Sequence, residues 1–510
     1  MKVSALCSSV LRPWSWVNVL GALAWLAMGW WLPLETAAAA EPDPDPRFGA
    51  VESYQRPQAA SEIGVGWDRL IFEWFRVQPL GPQHWLPVVP HGMHSRTAPD
   101  NRTYANHVTF PLPQNDWAAV AQAAGREVTA LLIGTPRWAT EGVPMRGVPS
   151  GLYLPVQHAE NHWANFVRRM VSEHGGRIKH WIVWNEPDIA PDHPGAQFDG
   201  SVKDYYQLVK VAYLAAKEVD PEAIIHLGAL TFWHDEVYGR DPYLQRFLQV
   251  AKQDESAEDH GYFFDVASVH VYFNAESVYT IIGHQREILQ EFGLHKPVWM
   301  NETNAAPMDD QRHPWHDPLV PVTLKQQASF VIQSTALAYA AGAERMAVYK
   351  LFDHVAPVHG LESYGLFRSD GSLRPAATAY RVAVERLSGF RRVHHIALPT
   401  HHLVTFIGET AITHVAWARG PEEVIVRVAA NPVAAGAILV DQRGAVKQIV
   451  VEDGEYGLAL AGAQCLEYSG ECVVGGEPQL LVENLGCDPS RLDHQRKCVL
   501  WLAAGTGSSG

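Results

Sequence analysis

The sequence predicts an α/β protein, in which a (β/α)8 TIM barrel is followed by a small, sandwich-like β-rich domain. Two observations predict the barrel: apolar strand-like runs alternate with amphipathic helical stretches, and eight such runs precede residue 390. Strands that alternate with helices form a parallel sheet, and eight units close it into a barrel. After Leu387-Ser388-Gly389 the pattern changes to short alternating runs between Gly and Pro turns, which is typical of a β-rich module.

The strand and helix predictions follow from hydrophobic periodicity. The eight predicted barrel strands are Phe48–Ser53, Gly66–Glu73, Val128–Gly134, His180–Glu186, Ile224–Ala229, Phe264–Tyr272, Val298–Glu302 and Arg345–Leu351. The helical stretches include Glu160–Glu173, Val202–Val219, Ala275–Phe292, Leu324–Ala341 and Pro375–Leu387. The interval from Trp74 to Asn115 is long and rich in Pro and His, so we expect it to be an elaborated loop.

The 510-residue chain is long enough for a full barrel and a smaller module. The predicted segments, in chain order, are a signal peptide or membrane anchor (1–40), a linker (41–46), the barrel (47–389), the β-rich domain (390–504) and a disordered tail (505–510).

The N-terminal segment carries an export pattern. Lys2 and Arg12 precede an apolar run over residues 17–34, and an Ala-x-Ala site ends at Ala40. The run is longer than a usual signal core, so an uncleaved membrane anchor is the alternative. We therefore expect a secreted or cell-envelope protein.

The composition excludes several classes of partner. The formal net charge is −15, from 40 basic and 55 acidic residues, which argues against binding to nucleic acid or to anionic membrane surfaces. There is no phosphate-cradling Gly-rich loop and no Cys-x-x-Cys pair. Histidines such as His313, His316 and His354 follow no metal-ligand spacing, so no metal and no cofactor are expected.

Four of the five cysteines lie near the C-terminus, and an even set in an exported chain predicts two disulfides with three possible connectivities. These candidates are Cys465, Cys472, Cys487 and Cys498. Their position suggests that only the small C-terminal module needs this cross-linking. That module is expected to brace the barrel, with carbohydrate binding as the alternative.

Two glutamates end predicted strands. Glu186 ends the fourth strand in Trp184-Asn185-Glu186-Pro187, and Glu302 ends the seventh. In a (β/α)8 barrel both positions face the C-terminal end, where catalytic residues sit. Cleavage of a glycosidic bond needs such a pair: one carboxylic acid protonates the leaving oxygen, and one carboxylate attacks or stabilises the sugar cation. The pair predicts a retaining glycosidase that acts on a carbohydrate substrate, with carboxyl groups about 5–5.5 Å apart.

Two alternatives use the same residues. A transglycosylase would pass the glycosyl group to another sugar instead of water. A non-catalytic glycan-binding barrel would normally have lost one glutamate, and both are present here.

The motifs resemble those of a known family. Around Glu186 and Glu302 the chain resembles the large clan A of retaining (β/α)8 glycoside hydrolases, most closely the family 39 branch of β-xylosidases and α-L-iduronidases. The resemblance covers about residues 47–390. The motifs that carry it, besides the two glutamates, are Arg69, Asp265, His270, Tyr272, Gly365-Leu366, Asp370-Gly371 and Pro375-Ala376.

The resemblance implies roles for the two glutamates and three partners. Glu186 would be the general acid/base and Glu302 the nucleophile. Arg69 and Tyr272 would keep Glu302 charged and oriented. Asn185 would hydrogen-bond the 2-hydroxyl of the attacked sugar.

The same resemblance implies that His270 bridges the acid/base to the pocket wall, with a structural core histidine as the alternative. Trp138 and Trp233 follow the third and fifth predicted strands, and each is expected either to stack on sugar or to pack under a loop.

The eighth strand departs from the clan's pattern. Many members carry a Trp there, whereas this chain offers Tyr349 or Phe352 as the platform. Lys350 is unusual at this position and is expected to contact a carboxylate or hydroxyl of the substrate. Substrates that contain uronic acid therefore stay open.

Overall fold

The structure is a computed structural model that describes residues 44–86, 117–312, 320–353, 363–467 and 469–486. The predicted N-terminal segment (1–40), the tail (505–510), most of the Trp74–Asn115 interval and Cys487 and Cys498 lie outside the described residues. Among the described residues, no helix has the length and apolar character needed to cross a membrane.

The described residues confirm the predicted fold class. The eight barrel strands are β1 (Phe48–Ala50), β2 (Trp67–Glu73), β3 (Glu127–Ile133), β4 (His180–Val183), β5 (Ile224–Leu227), β6 (Ala267–Tyr272), β7 (Val298–Asn304) and β8 (Arg345–Val348). They form one sheet in the order β5-β4-β3-β2-β1-β8-β7-β6, and every pair of neighbouring strands in it is parallel. Bridges between His226 and Val266 and between Leu230 and Val269 bring the two edge strands together, so the sheet nearly closes into a barrel.

Ten α-helices accompany these strands in the described residues. They are α1 (Pro57–Glu62), α2 (Trp74–Val77), α3 (Trp117–Ala123), α4 (His162–His174), α5 (Val202–Val219), α6 (Trp233–Tyr238), α7 (Tyr243–Ala251), α8 (Ala275–Glu291), α9 (Leu324–Ala340) and α10 (Pro375–Leu387). Short 3-10 turns span Ser53–Gln55, Arg137–Ala139 and Glu258–Phe263.

The long helices begin at side-chain caps. The Ser201 hydroxyl accepts from the backbone of Asp204, whose carboxylate binds the Ser201 N–H, and this capping box starts α5. Thr323 and Gln326 form the same arrangement at the start of α9. These caps satisfy backbone N–H groups that have no partner within the helix.

Side-chain alternation separates two layers of the barrel. Along β2, Leu70 and Phe72 belong to the large core between strands and helices, whereas Trp67 faces the barrel axis. The axial layer that contains Trp67 also holds Trp299, whose ring lies 5.3 Å from it between centroids. This apolar plug fills the lower barrel, so a ligand can enter only from the opposite end.

The C-terminal module follows α10, and its regular secondary structure in the described residues consists of eight strands. They are β9 (Arg392–Ala397), β10 (His401–Ile407), β11 (Ala411–Ala418), β12 (Val424–Ala429), β13 (Gly436–Asp441), β14 (Val446–Gln448), β15 (Glu455–Leu460) and β16 (Gln479–Asn484). Six form an antiparallel sheet in the order β14-β13-β16-β11-β10-β9, and β12 pairs with β15. Leu458 and Val428 from the smaller sheet share a core with Leu481 and Ala416 from the larger one, as in a sandwich.

Contacts tie this module to α8 and α9 of the barrel. The Gln333 amide donates to Gly476 O at 2.8 Å and accepts from Gly475 N at 3.0 Å. Arg419 Nε donates to Glu276 Oε1 at 2.7 Å. Cys465 and Cys472 form a disulfide in the segment between β15 and β16, which confirms a cross-link inside the module.

Candidate active site

A cavity of about 710 Å³ opens at the C-terminal ends of the barrel strands. Its lining comes from β2, β3, β6 and β7 and from the segments that follow β1, β2, β3, β4, β6 and β8. The lining residues are Glu52, Arg69, Ile71, Glu73, Phe75, Leu131, Ile133, Gly134, Pro144, Met145, Arg146, Asn185, Glu186, Pro194, Ala196, Gln197, Tyr272, Phe273, Glu302, Tyr349 and Tyr364. Both predicted catalytic glutamates therefore lie in one cavity, on the face where barrel enzymes place their chemistry.

A β-bulge turns Glu302 into the cavity. On β7, Met300 pairs with Val269, but the next pair is Glu302 with His270, so Asn301 is skipped. Strict alternation from Trp299, which faces the axis, would point Asn301 inward and Glu302 outward. The extra residue reverses this, as bulges beside active sites often do.

Two donors hold the Glu302 carboxylate. The Arg69 guanidinium donates to Oε1, and the Tyr272 hydroxyl donates to Oε2. Arg69 and Glu302 are both buried, with side chains 3% and 8% exposed. Burial favours the neutral carboxyl, but the Arg69 charge and the hydrogen bonds from Tyr272 and Arg69 outweigh it and hold the pKa of Glu302 below its ordinary value.

The donors themselves stay protonated. Burial, reinforced by the Glu302 charge, raises the pKa of Tyr272 well above its ordinary value. Burial alone would lower the pKa of Arg69, but the Glu302 charge raises it. Glu302 is thus an ionised, oriented carboxylate, which is the state that a nucleophile requires.

The backbone after β4 places Asn185 and Glu186 in the cavity. Trp184 and Glu186 have φ angles of 72° and 44°, in the left-handed region that non-glycine residues rarely adopt. Trp184 packs outward on Trp163 and Phe198, at 6.1 and 5.4 Å between ring centroids, instead of continuing the strand alternation. Backbone strain of this kind is often found at functional sites.

Glu186 receives two side-chain contacts. His270 Nδ1 lies 2.8 Å from Oε1, and the Gln197 amide donates to Oε2 at 2.9 Å. Gln197 also accepts from the Asn185 amide at 3.1 Å. The Glu186 side chain is 16% exposed, twice the 8% of Glu302, so Glu186 is more open to a leaving group and to water.

His270 stands between the two glutamates. Its Nδ1 atom is 3.5 Å from Glu302 Oε2, and its Nε2 atom lies 3.4 Å from Arg69 Nη1. Because a guanidinium can only donate, Nε2 accepts and the proton sits on Nδ1, which faces both carboxylates. The ring therefore lies between the two carboxylates and contacts both of them.

The separation of the carboxylates is short. One ligand atom from each of Glu186, His270 and Glu302 lies within 4.8 Å of the others. A retaining glycosidase places its carboxyl groups about 5–5.5 Å apart, whereas an inverting enzyme leaves about 6.5–9.5 Å for a water. The same three residues form the one possible cation-binding group found among the described residues, but the chemistry of such a pair needs no metal.

The remaining predicted site residues lie elsewhere. Trp138 donates its indole N–H to Gln78 O at 2.6 Å and packs on Trp74, and it does not line the cavity. Trp233 is 46% exposed in α6 and is also absent from the lining. The expectation that Lys350 contacts substrate must be corrected: its side chain is fully buried, with Nζ 3.9 Å from Glu52 Oε2.

Aromatic rings from the β6 and β8 ends form one wall of the cavity. Tyr349 and Tyr364 lie 5.8 Å apart between centroids, and Tyr272 lies 5.5 Å from Tyr364. Phe352, the other candidate platform, instead stacks on Phe367 at 4.9 Å and does not line the cavity. Of the two candidates, Tyr349 is therefore the one that a sugar can reach.

Glu52, Gln197 and Tyr364 are among the cavity residues that escaped prediction. Gln197 and Tyr364 belong to segments outside regular strands, where periodicity gives no information. Glu52 follows β1 directly, and its strand-end position was the one signal that could have identified it.

Residues 143–380 match a family model described as the glycosyl hydrolase catalytic core. No curated protein matches the sequence. The fold is similar to that of a family 39 glycoside hydrolase from Bacteroides cellulosilyticus, with a TM-score of 0.61 at 17% identity over 87% of this chain and 81% of the other. It is also similar to a GH30 endoxylanase from Clostridium papyrosolvens, with a TM-score of 0.54 at 14% identity over 87% and 97%.

A monomeric β-xylosidase from Caulobacter crescentus shares the fold as well, with a TM-score of 0.51 at 13% identity over 87% of this chain and 97% of the other. The family model covers the segments that carry Glu186, His270 and Glu302. Residues 143–380 are therefore similar to a glycosyl hydrolase catalytic core, and the fold is that of (β/α)8 glycoside hydrolases such as those of families 39 and 30.

Proposed function

We propose that this protein cleaves glycosidic bonds by a retaining double displacement, with Glu302 as nucleophile and Glu186 as general acid/base. The observation that carries this assignment is the unequal environment of two close carboxylates. Glu302 is buried and held ionised by Arg69 and Tyr272, whereas Glu186 is more open and is contacted by His270 and Gln197. Environments of this kind divide the roles within a carboxylate pair.

In the first step the Glu302 carboxylate attacks the anomeric carbon and forms a C–O bond. The bond to the leaving oxygen breaks, and that oxygen takes the proton of Glu186. In the second step a water oxygen attacks the same carbon, Glu186 takes a proton from the water, and the bond to Glu302 breaks. Two inversions give net retention of configuration.

The other residues support these steps. Arg69 and Tyr272 orient Glu302 for attack, and Asn185 lies beside Glu186 where a sugar 2-hydroxyl would bind. The Nδ1–H of His270 faces Glu186 at 2.8 Å and fixes the direction of its carboxyl. Fixed donors of this kind stabilise charge that develops in the transition state.

The test is hydrolysis of a panel of 4-nitrophenyl glycosides and of xylan, glucan and galactan polysaccharides by the purified protein. Glu302→Gln and Glu186→Gln are the variants, and Glu127→Gln is the matched control. Glu127 lies at the opposite end of the barrel, where it pairs with Arg345 at 2.6 Å. We expect each catalytic variant to lose about 10³-fold or more in kcat, and the control to keep its activity.

Azide distinguishes the two roles. With Glu186→Ala, azide should replace the water and give a glycosyl azide of retained configuration, while Glu302→Ala should give the inverted product. Full activity in Glu302→Gln, or an inverted product from the wild type, would falsify the mechanism. Product analysis with excess acceptor sugar separates hydrolysis from glycosyl transfer by the same residues.

We also propose that the protein acts outside the cytoplasm. The export pattern of residues 1–40 supports this, and so does the Cys465–Cys472 disulfide, since such bonds persist in oxidising compartments. N-terminal sequencing of the protein recovered from medium and cell envelope tests the idea. A mature end near Glu41 is expected for a signal peptide, and recovery of the intact chain in the envelope is expected for an anchor. Intact chain in the cytoplasm alone contradicts export.

A further inference from the structure

The catalytic cavity has an uneven charge. Among the described residues, six charged side chains line it: Glu52, Arg69, Glu73, Arg146, Glu186 and Glu302. Both cations already have carboxylate partners: Arg69 pairs with Glu302, and Arg146 Nε lies 3.1 Å from Asp199. The carboxylates of the cavity can therefore accept hydrogen bonds from a ligand, whereas its two arginines are already paired with carboxylates of the protein.

Outside the catalytic pair, the cavity lining contains two carboxylates, Glu52 and Glu73, and Glu52 is the more buried of them. It follows β1 by one residue, with a φ of 61°, and only 3% of it is exposed. Gln55 Nε2 donates to its Oε2 at 3.1 Å. A left-handed glutamate in a cavity wall is unusual, and strain of this kind persists only where the surroundings enforce it.

Lys350 is the buried cation that lies beside the Glu52 carboxylate. The ammonium is fully buried, 3.9 Å from Glu52 Oε2 and 5.3 Å from the centroid of the Tyr349 ring. It makes no hydrogen bond to the part of the chain that the structure describes. A buried cation without a carboxylate partner is costly, so Lys350 favours an ionised Glu52. Lys350 does not line the cavity, so the lysine acts through Glu52.

A second carboxylate continues this wall. Glu73 ends β2 and lines the cavity. Its Oε2 atom pairs with Arg76 Nε at 2.6 Å. Since β1 and β2 are neighbours in the sheet, Glu52 and Glu73 belong to the same side of the barrel mouth. Adjacent fixed carboxylates accept hydrogen bonds from hydroxyl groups and repel other anions.

We infer that Glu52, positioned by Lys350, is a specificity-determining residue that binds sugar hydroxyls and restricts the cavity to glycans without carboxylate groups. The ligand class is a neutral, hydroxyl-rich sugar, and a uronic acid is excluded by the paired acidic wall. The catalytic consequence of this inference rests on the proposed function, but the binding preference can be measured without turnover.

The first experiment measures binding by the full-length Glu302→Gln variant. The probes are immobilised neutral oligosaccharides from xylan, cellulose and galactan, and uronic-acid oligosaccharides from alginate and polygalacturonate. We expect binding to at least one neutral probe and at least ~10-fold weaker binding to every acidic one. Equal or stronger binding to an acidic probe, or no binding to any neutral probe, overturns the inference.

The second experiment changes the wall in the same background. Glu52→Gln combined with Lys350→Met removes both members of the buried pair, so that no unpaired charge is left and folding is preserved. We expect the double variant to bind its neutral probe about 10- to 100-fold more weakly, because hydrogen bonds to a charged group are lost. Discrimination against the acidic probes should shrink in parallel.

Glu73→Gln tests the second carboxylate of the acidic wall and leaves the Glu52–Lys350 pair intact. Glu127→Gln, at the far end of the barrel, is the control and should bind the probes as the Glu302→Gln protein does. A double variant with unchanged affinity and unchanged discrimination overturns the inference. The two hypotheses fail separately: hydrolysis that survives Glu302→Gln refutes the proposed mechanism, whereas the preference between neutral and acidic probes concerns the wall of Glu52 and Glu73.

Discussion

His270 Nδ1 lies 2.8 Å from Oε1 of Glu186, and this contact fixes the direction of the carboxyl that must deliver a proton. The ring is fully buried, and its Nε2 atom faces the Arg69 guanidinium at 3.4 Å, so rotation about the ring axis would lose both contacts. The imidazole therefore couples the group that donates the proton to the group that holds the nucleophile. We regard it as a positioning residue, since it reaches the substrate only through Glu186.

Replacing His270 by Asn should therefore impair acid catalysis more than attack by the nucleophile. We expect kcat to fall by about 10- to 100-fold on a substrate with a poor leaving group, since one hydrogen bond to a charged group is lost. A dinitrophenyl glycoside, whose leaving group departs without protonation, should be affected much less. Steady-state kinetics on the two substrates measure the difference. Equal losses on both would show that His270 merely supports the fold.

The Tyr272 hydroxyl is one of the groups that outweigh burial and keep the pKa of Glu302 low. Tyr272→Phe removes this donor, so the pKa of Glu302 should rise. Since only the ionised carboxylate can attack, the acid limb of kcat/KM against pH should move to higher pH. The pH profile of the wild type provides the reference. An unshifted acid limb in the variant would show that Tyr272 does not control the ionisation of Glu302.

Gln197 contacts the acid/base from the opposite side to His270. Its amide donates to Glu186 Oε2 at 2.9 Å and accepts from Asn185 at 3.1 Å. Gln197→Leu removes both contacts at similar volume, and we expect kcat/KM to fall by about 10- to 100-fold. The matched control is Gln207→Leu in α5, where the amide donates to Leu152 O at 3.1 Å, away from the cavity lining. Similar activity in both variants would contradict a role for Gln197.

The sequence predicted much of this site because barrel strands share a direction. Once Glu186 and Glu302 were assigned to strand ends, their convergence followed from the fold. The inward turn of Glu302 did not follow, because alternation from Trp299 points it outward and the bulge at Asn301 reverses it. Bulges depend on local pairing that periodicity does not describe.

Loops were harder to predict for the same reason. Gln197 lies eleven residues after Glu186 in a segment without regular structure, and no spacing rule connects the two. Lys350 was expected to face the substrate because it follows a strand, but β8 ends at Val348, so alternation says nothing about the direction of Lys350. The burial of Lys350 beside Glu52 depends on contacts between the segments after β1 and β8, which the sequence pattern does not describe.

Asp188 gives a prediction about stability. It is buried one residue beyond Pro187, and its Oδ2 accepts from Thr231 N at 2.7 Å, Thr231 Oγ1 at 2.8 Å and Phe232 N at 3.2 Å. Burial raises the pKa of Asp188 to about 7 despite these hydrogen bonds, and the Glu186 charge adds to the rise. These hydrogen bonds connect the residues before α6 to the loop after β4, which contains Glu186.

Because the pKa of Asp188 is higher in the folded than in the unfolded protein, the folded protein keeps this carboxyl protonated at pH values where the unfolded chain has lost the proton. The contribution of Asp188 to stability is therefore complete below about pH 4 and is lost as pH rises through about 7. Asp188→Asn keeps an oxygen acceptor for Thr231 but never ionises. Relative to wild type, we expect the variant to gain about 1–3 kcal/mol in free energy of unfolding at pH 8 and to gain nothing at pH 4.

Thermal unfolding at the two pH values measures this difference. Asp310→Asn is the contrasting control: Asp310 is also buried, but its carboxylate pairs with Arg368 and with Arg374, each at 2.8 Å, and these hydrogen bonds outweigh burial and lower its pKa. Removal of that charge takes a carboxylate partner from two buried cations, so the control should be less stable at pH 8. A lower melting temperature for Asp188→Asn at pH 8 would mean that ionised Asp188 stabilises the loop, contrary to the effect of its burial.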